Sequence, residues 1–214
     1  MTTFTFELSP YVVPAPENKL VDPSQDPRRV GRSGTLDGFG DVTVEFMHWD
    51  SSGPRREPGW RTVNVEGQAL PHTALMGRDF SGQPTLPDST LRLGIKSTKL
   101  KVRNLGLTKS ARAVHFSIAD RDYVLKSAGA YGNVAVRREG VQVSFRQADD
   151  VVDCYRAQRK STLGTVEGPA DATDLAIALL FTEVDTYSLT AGMSTFVGSL
   201  KAVGSLLQPG GDGV

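Results

Sequence analysis

The side chains in this sequence with the most reactive chemistry are three histidines, one cysteine and a few clustered carboxylates. A zinc site needs His, Cys, Asp or Glu at short, regular spacings, such as two histidines one helical turn apart. His48, His72 and His115 have no such spacing. No metal ligand set is therefore read, and no cofactor is expected. His48, in His48-Trp49-Asp50, is the one histidine with a carboxylate close by. That pair could serve a hydrolase-type enzyme, but a general base also needs a positioned partner, and the plainer reading is an aromatic cluster at a strand end. His115 alternates with apolar neighbours and is placed on the solvent side of its strand. Cys154, in Asp153-Cys154-Tyr155-Arg156, lacks an activating motif and reads as a buried structural cysteine. The chain has no G-x-S-x-G elbow and no G-x-G-x-x-G or Walker loop. Gly129-Ala130-Tyr131-Gly132 reads as a turn between strands, and Asp149-Asp150 as a solvated loop. No catalytic residue is assigned.

Cations remain. The chain balances 24 Lys plus Arg against 24 Asp plus Glu, which excludes a strongly basic nucleic-acid binder judged by totals. The balance is not local. Residues 92–138 hold 11 basic and 2 acidic side chains, a net of +9, while residues 1–50 sum to −4 and residues 161–214 to −5. Arg92, Lys96, Lys101, Arg103, Arg112, Lys126, Arg137 and Arg138 fall largely opposite apolar positions, so they are expected on the outside of a sheet. Such a face would attract phosphate-bearing partners, an anionic membrane surface first among them. Basic residues on strands also guard sheet edges, an alternative role that needs no ligand. Nucleic acid is disfavoured, because no exposed aromatics interleave with the cations for base stacking.

These side chains must be positioned by elements whose period is mostly two. Val42, Val44, Phe46 and His48 share one face of Asp41–Trp49, and Val63 and Val65 share one face of Trp60–Val65. Thr3–Leu8 alternates weakly. Leu91, Leu93 and Ile95 alternate with Arg92, Gly94 and Lys96, and Leu100 and Val102 continue the pattern. Val114, Phe116 and Ile118 predict a strand, with Tyr123–Lys126 as its hairpin partner. Val134 and Val136, the turn Arg138-Glu139-Gly140, and Val141, Val143 and Phe145 predict a second hairpin. A further strand is read over Val151–Tyr155. Residues 9–40 contain Pro10, Pro14, Pro16, Pro23 and Pro27, then Gly31, Gly34, Gly38 and Gly40, and read as loop or edge. Residues 50–60 read as a loop, and residues 67–90 show no clean period.

Helix enters late. Asp171 offers an N-cap with Asp174 three residues on, at the positive end of the helix dipole. The run Leu175–Phe181 is apolar on every side, so a core helix over 172–184 must be surrounded by protein. A second, amphipathic helix is read over 191–207 from Met193, Phe196, Val197, Leu200, Val203 and Leu207, and a flexible tail after it. The weakly polar stretch 188–207 is interrupted by Gly192, Gly198, Lys201 and Gly204, so no membrane span is read. One cysteine permits no intramolecular disulfide. With no basic n-region and apolar core at the start, the expected location is cytoplasmic, peripheral at a membrane where the basic face engages one.

The hairpin Tyr123–Phe145 and the segment Pro169–Phe181, within Ala113–Phe181, resemble the tubby-like barrel of tubby C-terminal domains, LURP-one-related proteins and phospholipid scramblases. In that family strands wrap around one hydrophobic helix near the C-terminus. Two features depart from the pattern: the chain continues well past Phe181 to Val214, and residues 9–40 are rich in proline. No acidic calcium-binding segment aligns, and no residue is carried over as a head-group ligand. The resemblance implies association with anionic lipid head groups and no known reaction. The fold expected is mainly β, an antiparallel barrel enclosing a hydrophobic C-terminal helix, with an additional amphipathic helix after it. Residues 1–40 would pack on or lead into a barrel at 41–187, followed by a helix and tail at 188–214. The function expected is a non-catalytic binding or adaptor module. The alternatives are a structural protein whose helix 191–207 meets a protein partner or a second copy, and a hydrolase-type enzyme using His48.

Overall fold

The computed structural model describes residues 3–13, 28–48, 59–80, 83–102, 113–128, 133–149, 152–154 and 157–190. Alternating apolar residues organise most of these into strands. They are β1 (Thr3–Val13), β2 (Arg28–Leu36), β3 (Gly40–His48), β4 (Trp60–Gly67), β5 (Thr73–Phe80), β6 (Gln83–Pro84), β7 (Thr90–Leu93), β8 (Lys96–Lys99) and β9 (Lys101–Val102). There follow β10 (Val114–Ile118), β11 (Arg121–Ser127), β12 (Val134–Arg138), β13 (Val141–Gln147), β14 (Val152–Cys154), β15 (Ala157–Arg159) and β16 (Thr162–Glu167). The helices are α1 (Ala172–Leu180) and the single turn α2 (Tyr187–Thr190).

All the pairings between these strands are antiparallel, in the order β8-β7-β5-β4-β3-β2-β1-β16-β13-β12-β11-β10-β9. The sheet curls until β8 lies beside β10, so the 12 strands from β8 to β10 make a nearly closed barrel. Closure removes most of the exposed edge that an open sheet would present. At the seam Lys96 of β8 meets Asp120 of the β10-β11 turn at 3.1 Å.

The barrel has two dissimilar ends. At one, the turn end, Asp37-Gly38-Phe39, Gly94-Ile95, Ala119-Asp120 and Glu139-Gly140 connect neighbouring strands tightly. Ala119 and Asp120 both have positive φ, 53° and 61°, the backbone of a type I′ turn whose twist suits a hairpin. The other is the loop end, and the hairpin β14-β15 lies in the chain between β13 and β16.

Helix α1 starts at the turn end and runs down the interior. Leu175 to Leu180 are fully buried and share one core with Val44, Val63, Leu75, Leu125, Val143 and Val166 from around the wall. A helix apolar on every side needs such a container, since no face of it can meet water. Phe116 stacks on Tyr123 at 5.4 Å between centroids and lies 6.2 Å from Phe181, which ties the wall to the helix exit. No helix among the described residues is long and apolar enough to cross a membrane.

Several sequence expectations need correction. Residues 9–40 are not all loop or edge: β1 continues to Val13, and β2 is a nine-residue strand with a partner on each side. Pro10 fits because the β1-β16 ladder stops at Leu8, and from Ser9 onward the ladder partner of β1 among the described strands is β2, so its other side makes no ladder there and proline is tolerated. Gly31 is no breaker. A Cβ there would sit 2.2 Å from the Val44 carbonyl oxygen, so the glycine lets β2 and β3 approach. Ile95 does not continue its strand; it turns the β7-β8 hairpin after Gly94, at φ 56°, and is fully exposed. Residues 67–90 hide β5, whose Thr73, Ala74 and Leu75 are all buried and so leave no alternation. Helix α1 ends at Leu180, four residues earlier than read, because the next residues turn tightly and carry Glu183 back into the interior. The proposed helix 191–207 lies outside the described residues.

Candidate functional site

Two charged clusters close the barrel interior, one at each end of α1. At the turn end, the N-cap Asp171 accepts from the Thr173 and Asp174 amides at 3.0 and 3.1 Å, while the Asp171 amide donates to Asp174 at 3.0 Å. This reciprocal capping box satisfies donors that the first helical turn leaves unpaired. The wall then neutralises both acids. Arg138 donates to both oxygens of Asp174 at 2.7 Å, and the Tyr123 hydroxyl donates at 2.9 Å. Arg121 grips both oxygens of Asp171 at 2.9 and 2.7 Å and reaches Asp174 at 3.3 Å.

The electrostatics follow from these contacts. The Arg121 guanidinium and the helix amides hold the Asp171 carboxyl down to about 2, against the opposing effect of burial. Burial and the bond to Asp174 push the Tyr123 phenol up to about 12. Arg121 and Arg138 are held more firmly in the charged form by their carboxylates. With both oxygens of Asp174 engaged by several donors, the group acts as a counter-ion and fastener.

At the loop end Glu183, fully buried, meets Arg159 Nη2 at 2.6 Å and Arg32 Nε at 2.8 Å, with Gln83 donating at 3.5 Å. The same arginines also donate to backbone: Arg32 to the Lys160 carbonyl at 2.6 Å and Arg159 to the Gly31 carbonyl at 3.2 Å. Beside them the Tyr11 hydroxyl donates to Glu45 at 2.8 Å, and burial with that bond raises the phenol's pKa. Buried charge is costly unless paired, and here each acid is met by at least one guanidinium.

The cations singled out from the sequence separate into three groups. Arg138 does not belong to an outer face: its side chain turns over the barrel rim onto Asp174. Its position at the end of β12, beside the turn to β13, puts it within reach of the helix cap, and the buried carboxylate draws it there. Arg92, Lys96, Lys101 and Arg137 are exposed, and Lys126 is half-buried. Arg137 lies opposite Val124, Val124 opposite His115, and His115 opposite Lys101, so one cross-strand row links β9 to β12. Lys126 lies two residues along from Val124 on the same face. Arg92 and Lys96 lie across the seam on β7 and β8. Arg103 and Arg112 lie outside the described residues.

The histidines are not brought together. His72 is exposed at the turn end, His115 is exposed on the outer wall, and His48 ends β3. The side chains of His48 and Cys154, with Trp49, Asp50 and the Gly129–Gly132 segment, lie outside what is described. Asp149 is exposed beyond β13, and Asp150 is outside the described residues. Among the described residues no group of three His, Cys, Asp or Glu is arranged to hold a metal ion. Arg32, Arg159 and Glu183 were not anticipated, since their pairings join residues far apart in the chain; only the Asp171-Asp174 cap had a local signal. Comparisons with family models, with curated proteins and with solved structures find no match.

Proposed function

We propose that the chain is a non-catalytic binding module, a tubby-like barrel that associates with anionic phospholipid head groups through cations on its outer surface. One observation carries the reading: Lys101, Lys126 and Arg137 project from the barrel with no ion pair to another described residue, whereas the interior acids Asp171, Asp174 and Glu183 are neutralised by arginine. Charges used in the interior support a scaffold role. Those left on the surface remain available to a partner, at about 1 kcal/mol for each Lys or Arg close to an anionic membrane. The barrel wrapped around one apolar helix supports placing the chain beside tubby-like proteins.

Vesicle flotation tests the proposal. The protein should float with phosphatidylcholine vesicles containing phosphatidylserine and not with phosphatidylcholine alone, and its binding should weaken as salt rises. Changing Lys101, Lys126 and Arg137 together to Ala should reduce flotation strongly. Binding that ignores the anionic lipid, or that survives the triple change in a folded protein, would overturn it.

A further inference from the structure

The exposed charges of the barrel are sorted along its axis. At the loop end Arg78 lies two residues before the end of β5, Lys99 closes β8, Lys101 starts the short β9, Lys126 nears the end of β11, and Arg146 nears the end of β13. Arg78, Lys99, Lys101 and Arg146 are exposed, Lys126 is half-buried, and none has an ion pair to another described residue. They occupy much of the rim on both sides of the seam. The described exposed acids at that end are Asp88 and Asp149. At the turn end most exposed charges have the opposite sign: Asp37, Asp41, Glu66, Asp120, Asp122, Glu139 and Glu167 against Arg92, Lys96 and Arg137.

A second observation points to the same end. Trp60 opens β4 directly opposite Arg78 in the ladder and keeps 55% of its surface exposed. An exposed indole bordered by cations suits the head-group layer, where tryptophan concentrates because its ring is apolar and its N–H stays wet. The acids of the far rim would be repelled by an anionic surface, so attraction and repulsion favour one pose.

We infer that the barrel docks end-on: its loop end, with Trp60 among the cations of the rim, meets an anionic phospholipid bilayer, and the turn end points away. This rests on the lipid-binding reading above and adds an orientation to it. Of the cations named above it keeps Lys101 and Lys126 as contacts and sets Arg137 toward the turn end, and it adds Arg78, Lys99, Arg146 and Trp60.

Sedimentation with phosphatidylcholine vesicles containing about a third phosphatidylserine distinguishes the two levels. K99E/R146E reverses the charge of the rim, and R92E/K96E does so away from it. At about fivefold in affinity for each basic residue lost near the surface, the rim variant should bind at least 25-fold more weakly. The second variant should stay within about threefold of the unaltered chain. Equal losses in the two variants, or a larger loss for R92E/K96E, would overturn the end-on pose and leave the lipid reading standing. No binding by the unaltered chain would overturn both.

A readout independent of charge reversal uses the single cysteine. With Cys154→Ser as background, an environment-sensitive fluorophore on Gln147→Cys at the loop end should shift to the blue on vesicles, and one on Glu139→Cys at the turn end should not. The reverse pattern, or shifts of equal size, would sink the pose.

Discussion

Asp174 is buried to 2% exposure and fully partnered: Arg138, Arg121, Tyr123 and the Asp171 amide surround it with donors. Removing one partner of such a pair leaves the other stranded, at about 3–5 kcal/mol. Asp171, next to it, is 47% exposed on its side chain, so its share is smaller and testable by pH. Its carboxyl is lowered from 3.8 to about 2, so folding is favoured by the ionised form. The stabilisation is full above about pH 4 and is lost as pH falls toward 2. After allowance for solvent screening, about 1 kcal/mol is expected from it. Urea unfolding of the native chain and Asp171→Asn should therefore differ by about that much at pH 6, with the gap closing between pH 4 and 2. A gap that persists unchanged to pH 2 would show that the carboxylate charge contributes nothing.

Gly164 shows how an element is specified by what crosses it. It lies in β16 between Phe6 of β1 and Phe145 of β13, its ladder partners on either side. The two rings meet edge to face at 6.1 Å over the bare backbone. A Cβ on Gly164 would come within 2.2 Å of the Phe6 ring, which Phe4 and Phe145 flank. Gly164→Ala should therefore cost about 1–3 kcal/mol of overpacking, measured by urea midpoint. Phe6→Leu in the same chain should recover part of that loss, since the smaller side chain vacates the space. Additive losses in the double variant would mean the contact is not what excludes a side chain there. Helix α1 was legible down to its cap, because the capping pair and the all-apolar run are local signals. Its stop was not, because Glu183 is drawn inward by Arg32 and Arg159, which are remote in sequence.

Across the whole molecule, closure at the seam rests on the shared core more than on surface charge. Lys96 and Asp120 bridge β8 to the β10-β11 turn, but their side chains are 54% and 94% exposed. Exposed pairs are worth less than about 1 kcal/mol. Lys96→Ala should change the unfolding free energy by no more than that; a loss of several kcal/mol would show the ion pair holding the barrel shut. The charge balance of zero also acquires meaning only here. The +9 segment supplies both the interior partners Arg121 and Arg138 and much of the basic rim, so its excess is shared between fastening the core and facing outward.

By itself the sequence determined the period-two segments, the tight hairpins, the Asp171-Asp174 cap and the need to bury α1, because each depends on neighbours a few residues apart. Only the tertiary structure decided that Arg138 faces a buried carboxylate, that Gly31 and Gly164 serve close approach, that β2 lies inside the sheet, and that opposite charges gather at opposite ends. Those outcomes depend on strand order and barrel closure. Closure brings together residues as distant as Arg32 and Glu183, and no local pattern of charge or hydrophobicity records which strand will become whose neighbour.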